Sequence, residues 1–256
     1  TKKDTQIDLG SRDSDFIRIN KSLILKLLKL ANVNNQYVCL PLQGSGTFGL
    51  EATLSTLLNN SSKILIITNG LYGNRLVKIC KKIKKKFIVL KSYENEIIPV
   101  NKVEKILVKN KSISHITFVH CETSSGILNP LDELSLLSKK YKKTLIVDAM
   151  STFGGIKINI KKNNIDALIS SPNKCLEGIP GFSFSIINKK TLSKTKGNAN
   201  SLSLDLYEQW KGFLKNDEWR FTPPIHSVIA LNSSIEQLNK EGGINSRNKR
   251  YLSNYF

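Results

Sequence analysis

The sequence predicts an α/β protein built on a mostly parallel sheet covered by helices on both faces. Two observations predict it. Apolar runs of strand length alternate with stretches whose apolar residues recur at helical spacing. The strand-like runs are also apolar at nearly every position, as strands are when both faces are buried.

The elements follow in order. Residues 37–42 form a strand-like run that ends just before a glycine loop, and 47–58 carry Phe48, Ala52 and Leu58 at helical spacings. Residues 63–68 read as a buried strand. Residues 73–84 read as a helix with Leu76, Cys80 and Ile83 on one face. A strand at 87–90, a helix marked by Val103, Ile106 and Leu107, and a strand at 115–120 come next. Residues 131–141 read as a helix, and 144–148, 166–170 and 181–187 as strands. Residues 188–203 are polar without a period. In 205–214, Tyr207, Trp210 and Phe213 recur every third residue, which suits a helix packed on a core or a partner.

The bulk numbers exclude some classes. No apolar run among the 256 residues is long enough to span a bilayer, so a soluble cytoplasmic protein is the default expectation. The net charge of +19 reads as a lysine-rich surface, with one dense run at 81–86. A nucleic-acid surface would interleave basic residues with exposed aromatics or show a recognised module, and neither is present. Cys39, Cys80, Cys121 and Cys175 lie far apart, and with His115, His120 and His226 they make no zinc spacing. The first three cysteines read as reduced core residues.

Gly44, Gly46 and Gly49 spell G-x-G-x-x-G within QGSGTFGLEA. A dinucleotide site would also place an acid at the end of the next strand, and that strand ends in Thr68-Asn69-Gly70 instead. No Gly-Lys-Ser/Thr follows, so the loop is no P-loop either. What remains is Ser45-Gly46-Thr47 at a strand-to-helix turn. Outward amides, the helix dipole and a hydroxyl there suit one phosphate group. An N-cap with permissive glycines explains the same residues equally well.

Ligands of such sheets sit beyond the carboxyl ends of the strands. Asp148 ends one buried strand, where a carboxylate is costly unless partnered. Lys174 follows the next strand. Taken singly, each has an ordinary explanation: a capping carboxylate and a solvated lysine. Together they can converge on one ligand. Pyridoxal phosphate asks for these parts: a lysine to bond it, a carboxylate to keep its ring nitrogen protonated, a helix start for its phosphate and an aromatic against its ring. Tyr72, in the loop after the second strand, is such an aromatic.

The segments GSGTFGLEATLSTLL, HCETSSGILNPLDEL, VDAMSTFGGI, DALISSPNKCLEGIPGFSFSI, KGNANSLSLDLYEQW and WRFTPPIH closely resemble the 2-aminoethylphosphonate–pyruvate transaminases, which are class V aminotransferases of fold-type I. The resemblance runs in order over nearly the whole chain. It implies a pyridoxal 5'-phosphate enzyme with 2-aminoethylphosphonate and pyruvate as substrates, and phosphonoacetaldehyde and alanine as products. Lys174 would bond the cofactor and shuttle the proton, and Asp148 would pair with the ring nitrogen. Ser45, Gly46 and Thr47 would hold the phosphate. Tyr72 would stack on the ring, with Thr123 near the ring hydroxyl. Met150 and Thr152 would line the opposite ring face and the phosphate side, and Asn173 would reach the phosphate. Trp219 and Thr222 match a segment that reaches the neighbouring subunit's phosphate, which implies a homodimer with shared active sites.

The family usually opens with a Pro-Gly-Pro segment, and it continues into a small C-terminal domain with an arginine for the substrate's acid group. This sequence begins just past the first and stops near the start of the second. The expectation is therefore a large cofactor domain over 1–225 and a helical connection over 226–256, cut at both ends. Arg12, Arg75 and Arg220 are present, but no motif equates any of them with that arginine. A catalytically impaired cofactor-binding fragment, or a related class V enzyme with another amino donor, are the alternatives.

Overall fold

A computed structural model describes residues 6–255 of the chain. In chain order its elements are α1 (Ser14–Leu30), β1 (Tyr37–Gln43), α2 (Gly46–Leu57), β2 (Lys63–Thr68), α3 (Leu71–Lys82), β3 (Lys86–Lys91), α4 (Val100–Lys109) and β4 (His115–Val119). A small hairpin of β5 (Cys121–Glu122) and β6 (Ile127–Leu128) follows. Then come α5 (Leu131–Lys140), β7 (Thr144–Asp148), β8 (Ala167–Ser170), β9 (Phe182–Asn188), α6 (Lys189–Leu192), α7 (Leu206–Asn216), α8 (Ile225–Lys240) and α9 (Ile244–Tyr255).

The main sheet has the order β1-β9-β8-β7-β4-β2-β3. β8, β7, β4, β2 and β3 pair in parallel, while β9 is antiparallel to both β8 and β1. β1 therefore points the same way as β8, and β9 is the reversed strand of the seven. The ends of β1, β2, β7 and β8 consequently open on one edge of the sheet, and the start of β9 faces the same edge.

Alternate side chains of each strand feed two cores. Leu65, Ile67, Phe118 and Val147 join Leu23 and Leu27 of α1, Val103 and Leu107 of α4, Leu134 of α5, and Leu231 and Ile235 of α8. Ile64, Ile66, Ile146 and Ile169 join Leu50 and Leu54 of α2, Leu76 and Cys80 of α3, and Leu206 of α7. This two-sided burial is why the strands read as continuous apolar runs. Fully burying each such side chain stabilises the fold by about 1.5–3 kcal/mol.

Several expectations shift. Helix α1 has no counterpart among the elements the sequence predicts, although Phe16, Asn20, Leu23 and Leu27 lie on its buried face at helical spacing. The stretch after 225 is helical as expected, forming α8 and α9, and Val228, Leu231, Ile235 and Leu238 of α8 pack into the same core as the sheet. The outer ends of the two expected units, residues 1–5 and Phe256, lie outside the described residues. In the lysine run, Lys85 is buried, because α3 ends at Lys82 and a left-handed Lys84 turns the chain inward. Cys39 and Cys80 are buried, whereas Cys121 and Cys175 are half-buried. Among the described residues, no helix is long and apolar enough to cross a membrane, and no His, Cys, Asp and Glu cluster is suited to a metal ion.

Gly49 shows why the third glycine of the loop is needed. A Cβ there would lie 2.6 Å from Ser183 Oγ and 2.9 Å from Ser183 Cβ. Its absence lets α2 lie directly on β9, where Thr53 Oγ1 and Ser185 Oγ meet at 2.8 Å. Gly49→Ala is expected to cost about 1–3 kcal/mol, the usual penalty of overpacking. Urea unfolding of the parent and variant measures it, and an unchanged midpoint would refute the close approach.

Candidate active site

The site is assembled where the common strand ends meet. Ser45, Gly46 and Thr47 follow β1, Tyr72 and Arg75 follow β2, and Asp148 and Met150 close β7. Ser171, Asn173 and Lys174 follow β8, and Pro180, Gly181 and Phe182 enter the reversed β9. Together with Leu50 these residues line one cavity of about 260 Å³. A larger cleft of about 530 Å³ between α1, α8 and α9 is lined by lysines, asparagines and aliphatics without a carboxylate, and so offers no acid–base pair.

The start of α2 forms one wall. Ser45 has extended backbone and makes no side-chain capping bond, so the first amides of α2 are left for a ligand. Gly44 has φ of +110°, which favours glycine, and its amide donates to Gly181 O at 2.9 Å. Gly46 lies close under the Met150 thioether: a Cβ there would sit 2.6 Å from Sδ and would have to push that flexible side chain aside.

Asp148 forms the floor. It is 2 % exposed, and its Oδ1 accepts a hydrogen bond from the Met150 amide at 3.0 Å. Burial pushes its carboxyl up to about 6, and the charge of Glu122 adds to the rise. The Met150 amide and the Arg75 charge oppose it. A buried carboxylate with one amide donor is under-partnered, and a cationic N–H in the cavity would complete it.

Lys174 stands at the lip of the cavity, on a loop held from several sides. Its carbonyl accepts from the Glu177 amide at 2.8 Å, and Pro172 O accepts from Gly178 at 2.9 Å. Leu176 is buried in the core. Cys175 O accepts from Arg247 Nη1 at 2.8 Å. Arg247 is 2 % exposed, and Glu241 engages its Nε at 2.9 Å and Nη2 at 2.7 Å. Helix α9 thereby braces the loop that presents the lysine.

The class-V aminotransferase family model matches residues 11–254. The chain belongs to the class-V aminotransferases. It is 43 % identical over 254 residues to a 2-aminoethylphosphonate–pyruvate transaminase of Pseudomonas aeruginosa, a match that covers 99 % of this chain and 68 % of the relative. A Pseudomonas putida relative of the same name is 41 % identical over 254 residues, covering 99 % and 69 %. Among solved structures, an alanine–glyoxylate aminotransferase from Nostoc sp. superposes with a TM-score of 0.90 at 22 % identity, over 99 % of this chain and 67 % of that one. A pyridoxamine–pyruvate aminotransferase from Mesorhizobium loti gives 0.88 at 25 % identity, over 97 % and 64 %. The fold is that of the fold-type I aminotransferases.

Of the residues that the sequence singled out, this class-V aminotransferase brings Ser45, Gly46, Thr47, Tyr72, Asp148, Met150, Asn173 and Lys174 to one cavity. Four others lie off its lining. Thr123 is exposed, because the β5–β6 hairpin carries residues 123–126 out to solvent. Thr152 is buried, with its hydroxyl 3.0 Å from His120 Nδ1. Trp219 donates its indole N–H to Asn20 Oδ1 at 3.0 Å and packs edge-on against Phe182 and Phe213, so it backs the cavity wall from within its own subunit. Thr222 is exposed and is not part of the lining.

Two residues that shape the site have no role assigned by the sequence. Glu122 is fully buried and accepts from the amides of Tyr72 at 3.1 Å and Gly73 at 2.9 Å and from Ser124 Oγ at 3.0 Å. It thus anchors the start of α3, which carries Tyr72. Gly70 makes room for it, since a Cβ there would run into Glu122 Cγ. The signal was an acid one residue past Cys121 in a polar post-strand loop. Arg75 is the other, one helical turn after Tyr72.

Proposed function

We propose that the chain binds pyridoxal phosphate in this cavity and transfers the amino group of 2-aminoethylphosphonate to pyruvate, giving phosphonoacetaldehyde and alanine. One observation carries the reading: an under-partnered buried carboxylate, a lysine and an uncapped helix start line the same cavity. The residues fit the cofactor. Asp148 lacks a cationic partner that a protonated ring nitrogen would supply, and the α2 amides suit a phosphate. The named relatives supply the substrates.

Bound there, pyridoxal phosphate supplies an electron sink for the carbon that loses its proton. The chain's own residues do the rest. The Lys174 amine holds the cofactor by a covalent bond at rest. Freed of that bond, the amine would take the proton from the amino-bearing carbon and return it to the cofactor carbon on the far side of the nitrogen, two atoms away. Asp148, as a carboxylate, keeps a proton on the ring nitrogen. Tyr72 covers a ring face, and Ser45, Gly46 and Thr47 hold the phosphate, with Asn173 beside them. Trp219 supports the wall through Phe182. A homodimer with shared sites is part of the reading, with exposed Thr222 and its neighbours facing the second copy.

The test is direct. The chain with added cofactor is expected to show the long-wavelength absorbance of a lysine-linked cofactor and to form alanine from pyruvate when 2-aminoethylphosphonate is supplied. Absence of the absorbance would refute cofactor binding. Absorbance with amino transfer from other donors alone would refute the substrate.

A further inference from the structure

We propose that Arg75 is a binding residue for the cofactor's phosphate, acting through Thr47 and by its own charge. The inference rests on the cofactor reading above and deepens it. Of the arginines that the sequence left unassigned, Arg75 is the one that lines the cavity. Arg220 is engaged elsewhere, donating from Nη1 to Leu202 O at 2.9 Å.

Three features of Arg75 argue for this role. It is half-buried, and among the described residues no carboxylate lies within ion-pair distance of it. A partly desolvated guanidinium with no anion of its own is a site waiting for one. Its position is also held, since its guanidinium carbon sits 4.6 Å from the centre of the Tyr72 ring, a cation–π contact. Finally, Nη1 donates to Thr47 Oγ1 at 3.0 Å.

The hydroxyl bookkeeping gives that last bond its meaning. A threonine hydroxyl has one hydrogen to give and two lone pairs to receive. Arg75 occupies a lone pair, so the hydrogen of Thr47 remains to be donated, and no protein acceptor takes it among the described residues. Thr47 is at the open start of α2, where the amides also point. Arg75 therefore turns the hydroxyl into a donor aimed at the same anion. Its remaining N–H groups have no protein acceptor among the described residues and stay available to that anion. A phosphate monoester dianion matches this set: amides, one hydroxyl and a planar cation.

The experiment compares pyridoxal phosphate with pyridoxal, which lacks the phosphate. Both are titrated into the parent, Arg75→Gln and Arg75→Lys, and the absorbance of the lysine-linked form is read. The expected result is a loss of about 10- to 100-fold in affinity for pyridoxal phosphate in Arg75→Gln, with affinity for pyridoxal unchanged. Arg75→Lys keeps the charge but not the fork, and is expected to fall between the two. It also serves if the glutamine variant fails to fold. An equal loss for both ligands would mark Arg75 as structural support for Tyr72 and overturn the proposal. So would unchanged affinity for both. If the parent itself takes up neither ligand, the cofactor reading falls first and this inference with it.

Discussion

Lys174→Ala is expected to abolish amino transfer, with a loss of about 10⁴-fold or more. One side chain is being asked to do two jobs, holding the cofactor covalently and moving the proton. A positioned general base alone contributes about 10²–10⁴-fold, and loss of the covalent step adds to it. The substitution tests chemistry rather than folding. Lys174 is exposed and makes no side-chain bond among the described residues, so stability is expected to change by no more than about 0.5 kcal/mol. The loop keeps its shape through backbone bonds, the buried Leu176 and the Arg247 contact to Cys175 O. The long-wavelength absorbance should vanish while the melting temperature holds. A variant that kept turnover would place the base elsewhere.

Asp148→Asn is expected to separate function from stability in opposite directions. Turnover should fall by about 10²–10³-fold, the usual effect of removing one preorganised charge from a site. The cofactor-free chain should meanwhile become more stable above neutral pH. The sign follows from the raised carboxyl, about 6 in the fold against an ordinary 3.8. Above pH 6 the group is ionised in both states, and its burial costs roughly 3 kcal/mol. As pH falls from 6 towards 3.8 the folded chain binds the proton first, and the cost disappears. Asparagine never carries that cost and still accepts from the Met150 amide. The stability difference between variant and parent should therefore be largest at pH 7–8 and vanish below pH 4.

His115 and His120 require that this be read as a difference. Burial lowers each of them to about 4 from an ordinary 6.5. Unfolded chains take up those protons first, so each histidine withdraws stability as pH falls from 6.5 towards 4. The parent's own profile is thus expected to decline towards acid despite Asp148. Both chains carry the histidines, and subtraction removes them. Chemical unfolding at several pH values measures the result. A difference independent of pH would mean that Asp148 is not a buried, titrating carboxylate.

The strands and the glycine loop are legible because each is a local signal, and Asp148 and Lys174 because each follows the end of a strand. Buried strands announce themselves by unbroken apolar runs, and ligand-facing residues follow strand ends in this class of sheet. The signal for α1 is equally local, since Phe16, Asn20, Leu23 and Leu27 recur at helical spacing. Thr152 and Trp219 were different. Their neighbours, His120 and Asn20, lie 32 and 199 positions away, and no spacing along the chain encodes such a meeting.

From order and type of residue, this chain sets which segments become strands, where a phosphate-sized anion can meet a helix start, and which lysine and acid are available. Strand order is another matter. Placing β4 between β2 and β7, and reversing β9, is what brings four separate loops to one edge of the sheet. That convergence turns Arg75 towards Thr47, brings Glu122 under α3 and hides Trp219 behind Phe182. Local propensity acts over a few residues, whereas these contacts are selected by burial and hydrogen-bond satisfaction across the whole sheet.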